Sequence, residues 1–239
     1  AMTTALSFLI LSPSRANATL GDGFFASIFL ANWRFAASGT DYFATDTGVS
    51  PLQHFWTLSV EEQFYLVWPW LLIAVLAIAA AAAAKAGKQI TTTSQRRILA
   101  AVLIPIVAAS LIWSIVETAT APSVAYFATA SRIWELGAGA LLAVGAPLFA
   151  RLETNARTTL AIAGLTGIVA SMVLLTEASP VPGPLALIPV LATAALLASG
   201  IGGENALQRP LAHPVMTRIG DMSYSIYLWH FPVIVFAAV

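Results

Sequence analysis

Arg132 and Glu135 stand three residues apart in a stretch, 123–150, that is otherwise uncharged. On a helix that spacing lets the two side chains meet. The pair is either a self-neutralising structural bridge or a fixed positive charge offered to an anion or a developing oxyanion. Ser223, Tyr227 and His230 follow i, i+4, i+7 and share one helix face. His230 lies about 12 residues past Arg218, or roughly 18 Å along a helix, near the middle of a bilayer if this stretch crosses one. A hydroxyl, a phenol and an imidazole on one such face form either a hydrogen-bonded cluster between helices or the lining of a site. Glu61 and Glu62 are adjacent, about 100° apart around a helix, so one can face inward while the other faces headgroups. The plain alternative is a pair of helix-start carboxylates favoured by the macrodipole. His54 precedes Phe55 and Trp56, while His213, between Pro210 and Pro214, reads as a loop histidine. No metal-ligand spacing is present, so no metal site is expected. The chain has no cysteine, which excludes thiolate chemistry and disulfides.

The elements that must position these groups are membrane helices. Of the 239 residues, 59% are hydrophobic and only 9% charged, with a mean hydropathy of +0.83. A soluble domain carries about 25% charged residues, so lipid must be the solvent for much of this surface. Net charge is zero and nothing points to nucleic acid. Seven hydrophobic segments are read at 1–11, 57–84, 97–116, 123–150, 158–176, 184–201 and 219–239, and each full one is expected to cross the bilayer. No useful strand alternation appears, so the expected fold is an all-α polytopic transmembrane bundle, a single domain over 1–239. The first and last segments run into apolar sequence without polar flanks, and the chain is expected to be truncated at both ends. Pro69 and Pro232 are expected to kink their helices. The alanine run Ala79 to Ala84 and Gly137, Gly139, Gly164 and Gly167 fit close helix packing.

Charge orients the bundle. Lys85, Lys88, Arg96 and Arg97, then Arg151 and Arg157, then Arg209 and Arg218 fall in alternate connections, eight of the eleven basic residues on one side. The opposite connections hold Arg15 and Arg34 with Asp22, Asp41, Asp46, Glu117 and Glu177. The positive-inside rule then places the 12–56 connection outside and the Lys85–Arg97 connection in the cytoplasm. Phe24, Phe25, Ile28, Phe29 and Trp33 form a helical stripe, read as one short interfacial helix in preference to a substrate lid. Gly39 to Pro51 is polar and turn-rich.

Phe55 to Pro69 reads FWTLSVEEQFYLVWP, which closely resembles the signature of the integral-membrane acyltransferase-3 family. RIWELGAGALLA at 132–143 resembles that family's arginine/tryptophan/glutamate helix, and SYSIYLWHFP at 223–232 its late helix. The resemblance implies a ten-helix core of which this chain is the third through ninth helices. It implies transfer of an acyl group, in the first place acetyl, from acyl-coenzyme A as co-substrate to a hydroxyl of a surface polysaccharide or glycolipid, in a bacterial inner membrane. No bound cofactor is implied. The family's catalytic histidine and donor-linked arginines have no counterpart here, so no catalytic residue is named. Glu61, Arg132, Glu135 and His230 are carried over as site or core residues, with Ser223 and Tyr227 beside them. His54 and the YLWHFP form resemble the subset that bears an SGNH-type domain. The rival is a transporter or flippase of a sugar-linked or anionic solute, which also needs ionisable groups within a bundle.

Overall fold

The computed structural model describes residues 1–40, 48–203 and 206–239. Ten α-helices run in order: α1 Met2–Ile10, α2 Pro13–Ser27, α3 Ala31–Ala37, α4 Phe55–Lys85, α5 Thr92–Thr120, α6 Pro122–Phe127, α7 Ile133–Phe149, α8 Thr154–Leu174, α9 Leu187–Ser199 and α10 Pro214–Ala237. Three short 3₁₀ turns join them, and no strand occurs among the described residues. The all-helical membrane fold follows from hydropathy alone. A polar backbone in lipid must bond within its own segment, and these segments have no alternating pattern from which to build a barrel.

Three helices, α4, α5 and α8, are long and apolar enough to cross a membrane. The other full hydrophobic segments expected to cross form shorter or less apolar helices among the described residues. α7 and the stretch Pro184–Ser199 are apolar but shorter. α10 has 24 residues, but Arg218, Asp221 and His230 lower its hydropathy. The segment at 123–150 is not one helix. The chain breaks between α6 and α7, where Ala128 is extended with ψ 128°. Side chains take the carbonyls that the break releases: Asn32 Nδ2 donates to Phe127 O at 3.1 Å and Ser110 Oγ to Ala130 O at 2.6 Å. Arg132 is therefore the N-cap residue of α7, not a mid-helix residue.

The interfacial stripe is divided as well. α2 ends at Ser27 and α3 begins at Ala31, with Phe29 between them at φ 56°. Phe29 N–H bonds Ala26 O at 3.2 Å and Leu30 N–H bonds Phe25 O at 2.8 Å, a Schellman closure whose left-handed position usually belongs to glycine. Of the turn-rich stretch at 39–51, residues 41–47 lie outside those described.

The chain forms two compact units. The first comprises Ala1–Gln63, Ala121–Thr129 and Leu211–Val239; the second comprises Phe64–Thr120 and Ala130–Pro210. In the first, α1 packs on α2 and α3 on α6, around buried Phe35, Trp56, Val60 and Phe127. In the second, α5 pairs with α7, and α8 with α9. A Cβ at Gly164 would sit 2.7 Å from both Ala192 O and Leu196 N, so this residue lets the α8 and α9 backbones meet.

Candidate active site

In the first unit, the start of α4 is fixed by its own side chains. Ser59 Oγ donates to Phe55 O at 3.0 Å and accepts the Ala31 N–H at 3.2 Å, tying α4 to the start of α3. One turn later, Gln63 Nε2 donates to Phe29 O at 2.7 Å and to Asn32 Oδ1 at 2.9 Å. Its Oε1 accepts from Thr129 Oγ1 at 2.6 Å and from Trp33 Nε1 at 3.3 Å. Asn32, fully buried, donates to Thr129 Oγ1 at 3.0 Å as well as to Phe127 O. Every side-chain donor of Asn32, Gln63 and Thr129 is used. The network also holds the strained Phe29 carbonyl in place.

His54 lies just before α4 and is 2% exposed. Its ring is caged by Phe55, Tyr227, Phe231 and His230, with centroids 4.7, 5.2, 5.2 and 5.4 Å away. Neither ring nitrogen has a hydrogen-bond partner. Burial lowers the His54 pKa from 6.5 to about 4, with repulsion from His230 adding to it and the Leu228 backbone opposing it. The ring is therefore neutral at pH 7, with one N–H and one lone pair to offer. The His54 carbonyl is held by hydroxyls: Tyr227 Oη donates to it at 2.5 Å and Thr57 Oγ1 at 3.2 Å, and these two oxygens also contact each other. His230 Nδ1 lies 2.7 Å from Tyr227 O. A carbonyl only accepts, so Nδ1 carries the proton, which in a neutral ring leaves Nε2 as the free base. The structure thus brings together His54, Tyr227 and His230. Ser223 is exposed and forms no hydrogen bond among the described residues, and it does not join them. Glu61 is half-buried one turn beyond Thr57, without a hydrogen bond or ion pair among the described residues.

In the second unit, Arg132 Nη1 and Glu135 Oε1 are 2.9 Å apart, with side chains 12% and 24% exposed. The loop before them is anchored to α5. Ser110 Oγ accepts the Trp134 N–H at 3.0 Å, and Glu117 Oε2 accepts from Trp113 Nε1 at 2.9 Å and from Ser131 Oγ. The pair borders a cavity of about 360 Å³ between α7 and α9, walled by residues such as Gly139, Leu142, Val190 and Leu197. Two glycines of the motif divide the work. A Cβ at Gly137 would come 2.5 Å from Val107 Cγ2, so Gly137 permits the α5–α7 contact, whereas a Cβ at Gly139 would meet nothing within 4 Å. An apolar cavity with a fixed ion pair in its wall suits a small apolar group attached to a polar, reacting centre.

Three functional-looking residues escape a reading based on charge. Gln63, Asn32 and Thr129 are neutral and far apart in sequence. The only local signal is Gln63 itself, a polar residue four positions from Ser59 on the same helix face.

Over residues 5–238 the chain matches the acyltransferase-3 family, described as an acyltransferase domain. It is 28% identical to YrhL of Bacillus subtilis over 224 residues, covering 90% of this chain and 33% of that protein. It is 28% identical over 225 residues to the peptidoglycan O-acetyltransferase OatA of Listeria monocytogenes, covering 90% and 34%. Against the O-acetyltransferase OatA of Staphylococcus aureus the figure is 28% over 236 residues, covering 95% and 37%. The chain spans about a third of the length of these relatives. No solved structure matches it.

Proposed function

The chain belongs to the acyltransferase-3 family, and from that premise we propose that the full-length protein transfers an acetyl group from acetyl-coenzyme A to a hydroxyl of a cell-wall glycan. Relatives named as peptidoglycan O-acetyltransferases support the acetyl group and the glycan acceptor. The observation that carries the reading is the Arg132–Glu135 pair set in the wall of an otherwise apolar cavity.

The acceptor oxygen attacks the thioester carbonyl. A C–O bond forms, the C–S bond breaks, and the hydroxyl proton passes through a general base to the departing sulfur. The carbonyl oxygen gathers negative charge in between. Arg132 meets that charge, and Glu135, bonded to it at 2.9 Å, keeps the guanidinium oriented. The apolar walls accept the acetyl methyl and exclude water, which strengthens the charge interaction. The distribution of basic residues supports donor entry from a cytoplasmic face bearing Lys85–Arg97, in a bacterial inner membrane.

The test is acetyl transfer by the full-length protein in proteoliposomes supplied with labelled acetyl-coenzyme A and a glycan acceptor. Arg132→Gln is expected to lower the rate per folded molecule about 100- to 1000-fold, alongside a fall in melting temperature from the unpaired Glu135. A folded Arg132→Gln enzyme of normal rate removes the pair from the chemistry. Flux of unmodified glycan without any acetyl transfer replaces the enzyme reading with a carrier.

A further inference from the structure

We propose that the cleft between the start of α5 and the end of α7 is a phosphate-binding site. For a soluble pyrophosphate-bearing ligand it rests on the acetyl-transfer reading, whose donor is such a compound; for a lipid headgroup it does not. The cleft has a volume of about 640 Å³, and its walls include Thr92, Thr93, Arg96 and Arg97 of α5 and Arg151 just past α7. No carboxylate lines it among the described residues.

Three observations converge on a multiply charged anion. First, three guanidinium groups share one concavity. Like charges so placed repel each other, and a cleft with low-dielectric walls concentrates their field. Second, the donors are open. Arg96 is held in the wall by one bond, Nη1 to Val144 O at 3.0 Å, and among the described residues the Arg97 and Arg151 side chains make no hydrogen bond or ion pair. A planar guanidinium fork matches the oxygens of phosphate two at a time. Third, α5 begins there: Thr91 Oγ1 caps the Ser94 N–H at 3.2 Å, and Thr92 and Thr93, at the positive end of this 29-residue helix, line the cleft. The cleft is larger than a lone carboxylate requires. A phosphate group on a larger molecule fits it, and two sources share that chemistry: the headgroup of an anionic phospholipid, and a soluble pyrophosphate-bearing compound.

The experiment uses the full-length protein in nanodiscs. In one arm, inorganic pyrophosphate is titrated by calorimetry into neutral phosphatidylcholine discs. In the other, phosphatidylglycerol retained on the protein is counted by native mass spectrometry. The double variant Arg97→Gln/Arg151→Gln is compared with Lys85→Gln/Lys88→Gln, which removes equal charge from the neighbouring connection outside the cleft. The arginine pair is expected to cost about tenfold or more in at least one arm, and the lysine pair less than about twofold. A loss in the pyrophosphate arm assigns the soluble compound, and a loss confined to phosphatidylglycerol assigns the headgroup. Binding of neither probe, no loss in the arginine variant, or an equal loss in the lysine variant overturns the proposal.

Discussion

Asn32, Gln63 and Thr129 turn their polar atoms on one another, whereas Arg132 and Glu135 turn theirs on a cavity. Both centres sit in apolar surroundings, where an unmatched polar group is costly. The first meets that cost with a closed ring of amides and a hydroxyl that has no donor left for a ligand. The second joins two charges to each other and leaves space beside them. On the function proposed above, the difference separates polar residues that build from polar residues that act: closure marks the former, an adjoining cavity the latter. His54 falls between the two. Its carbonyl belongs to a closed cluster, yet its buried ring keeps a titratable nitrogen.

The largest effect expected of this contrast is on rate. Arg132→Gln should cost about 100- to 1000-fold in acetyl transfer per folded molecule, beyond the stability lost by leaving Glu135 unpaired, and a normal rate per folded molecule would place the pair among the builders. Gln63→Leu should do the reverse. It strands Asn32 Oδ1 and the Phe29 carbonyl and should lower stability by about 3 kcal/mol, read by denaturation in detergent, while activity per folded molecule holds. Next come the two glycines. Gly139→Leu should fold normally and slow transfer about tenfold by filling the cavity. Gly137→Ala should cost about 1–2 kcal/mol of stability through overpacking against Val107. Identical behaviour of the two variants would deny the cavity a role.

A last test of the contrast is the His54 titration. The unfolded chain takes up a proton on this ring near pH 6.5, and the folded chain refuses it until about pH 4. Stability from this group is therefore complete above pH 6.5 and declines as pH falls from there toward 4. His54→Phe should flatten that part of a Tm-against-pH curve, and parallel curves would mean that the ring is hydrated.

The sequence discloses the charged pair because Arg132 and Glu135 are local, and three-residue spacing suffices to join them. The helical character is legible for a similar reason, since hydropathy acts segment by segment. Depth is harder to read. Periodicity puts Ser223 on the face of Tyr227 and His230, but nothing local says how far along a face the packing extends. The break at Ala128 has no glycine or proline to announce it and depends on Asn32 and Ser110, which are distant in the chain. Phe29 misleads in the opposite direction, because an aromatic residue occupies a left-handed turn position that composition assigns to glycine.

α7 and α9, the two helices that wall the Arg132–Glu135 cavity, have 17 and 13 residues. At 1.5 Å per residue they measure about 26 and 20 Å, less than the roughly 30 Å of hydrocarbon in an ordinary bilayer. If they cross the bilayer, the lipid beside them must thin, or polar headgroups must sink toward the protein. A substituent moving along that wall has less oil to cross than it would beside α4 or α5, and swapping host lipids from short to long acyl chains should stretch that passage first.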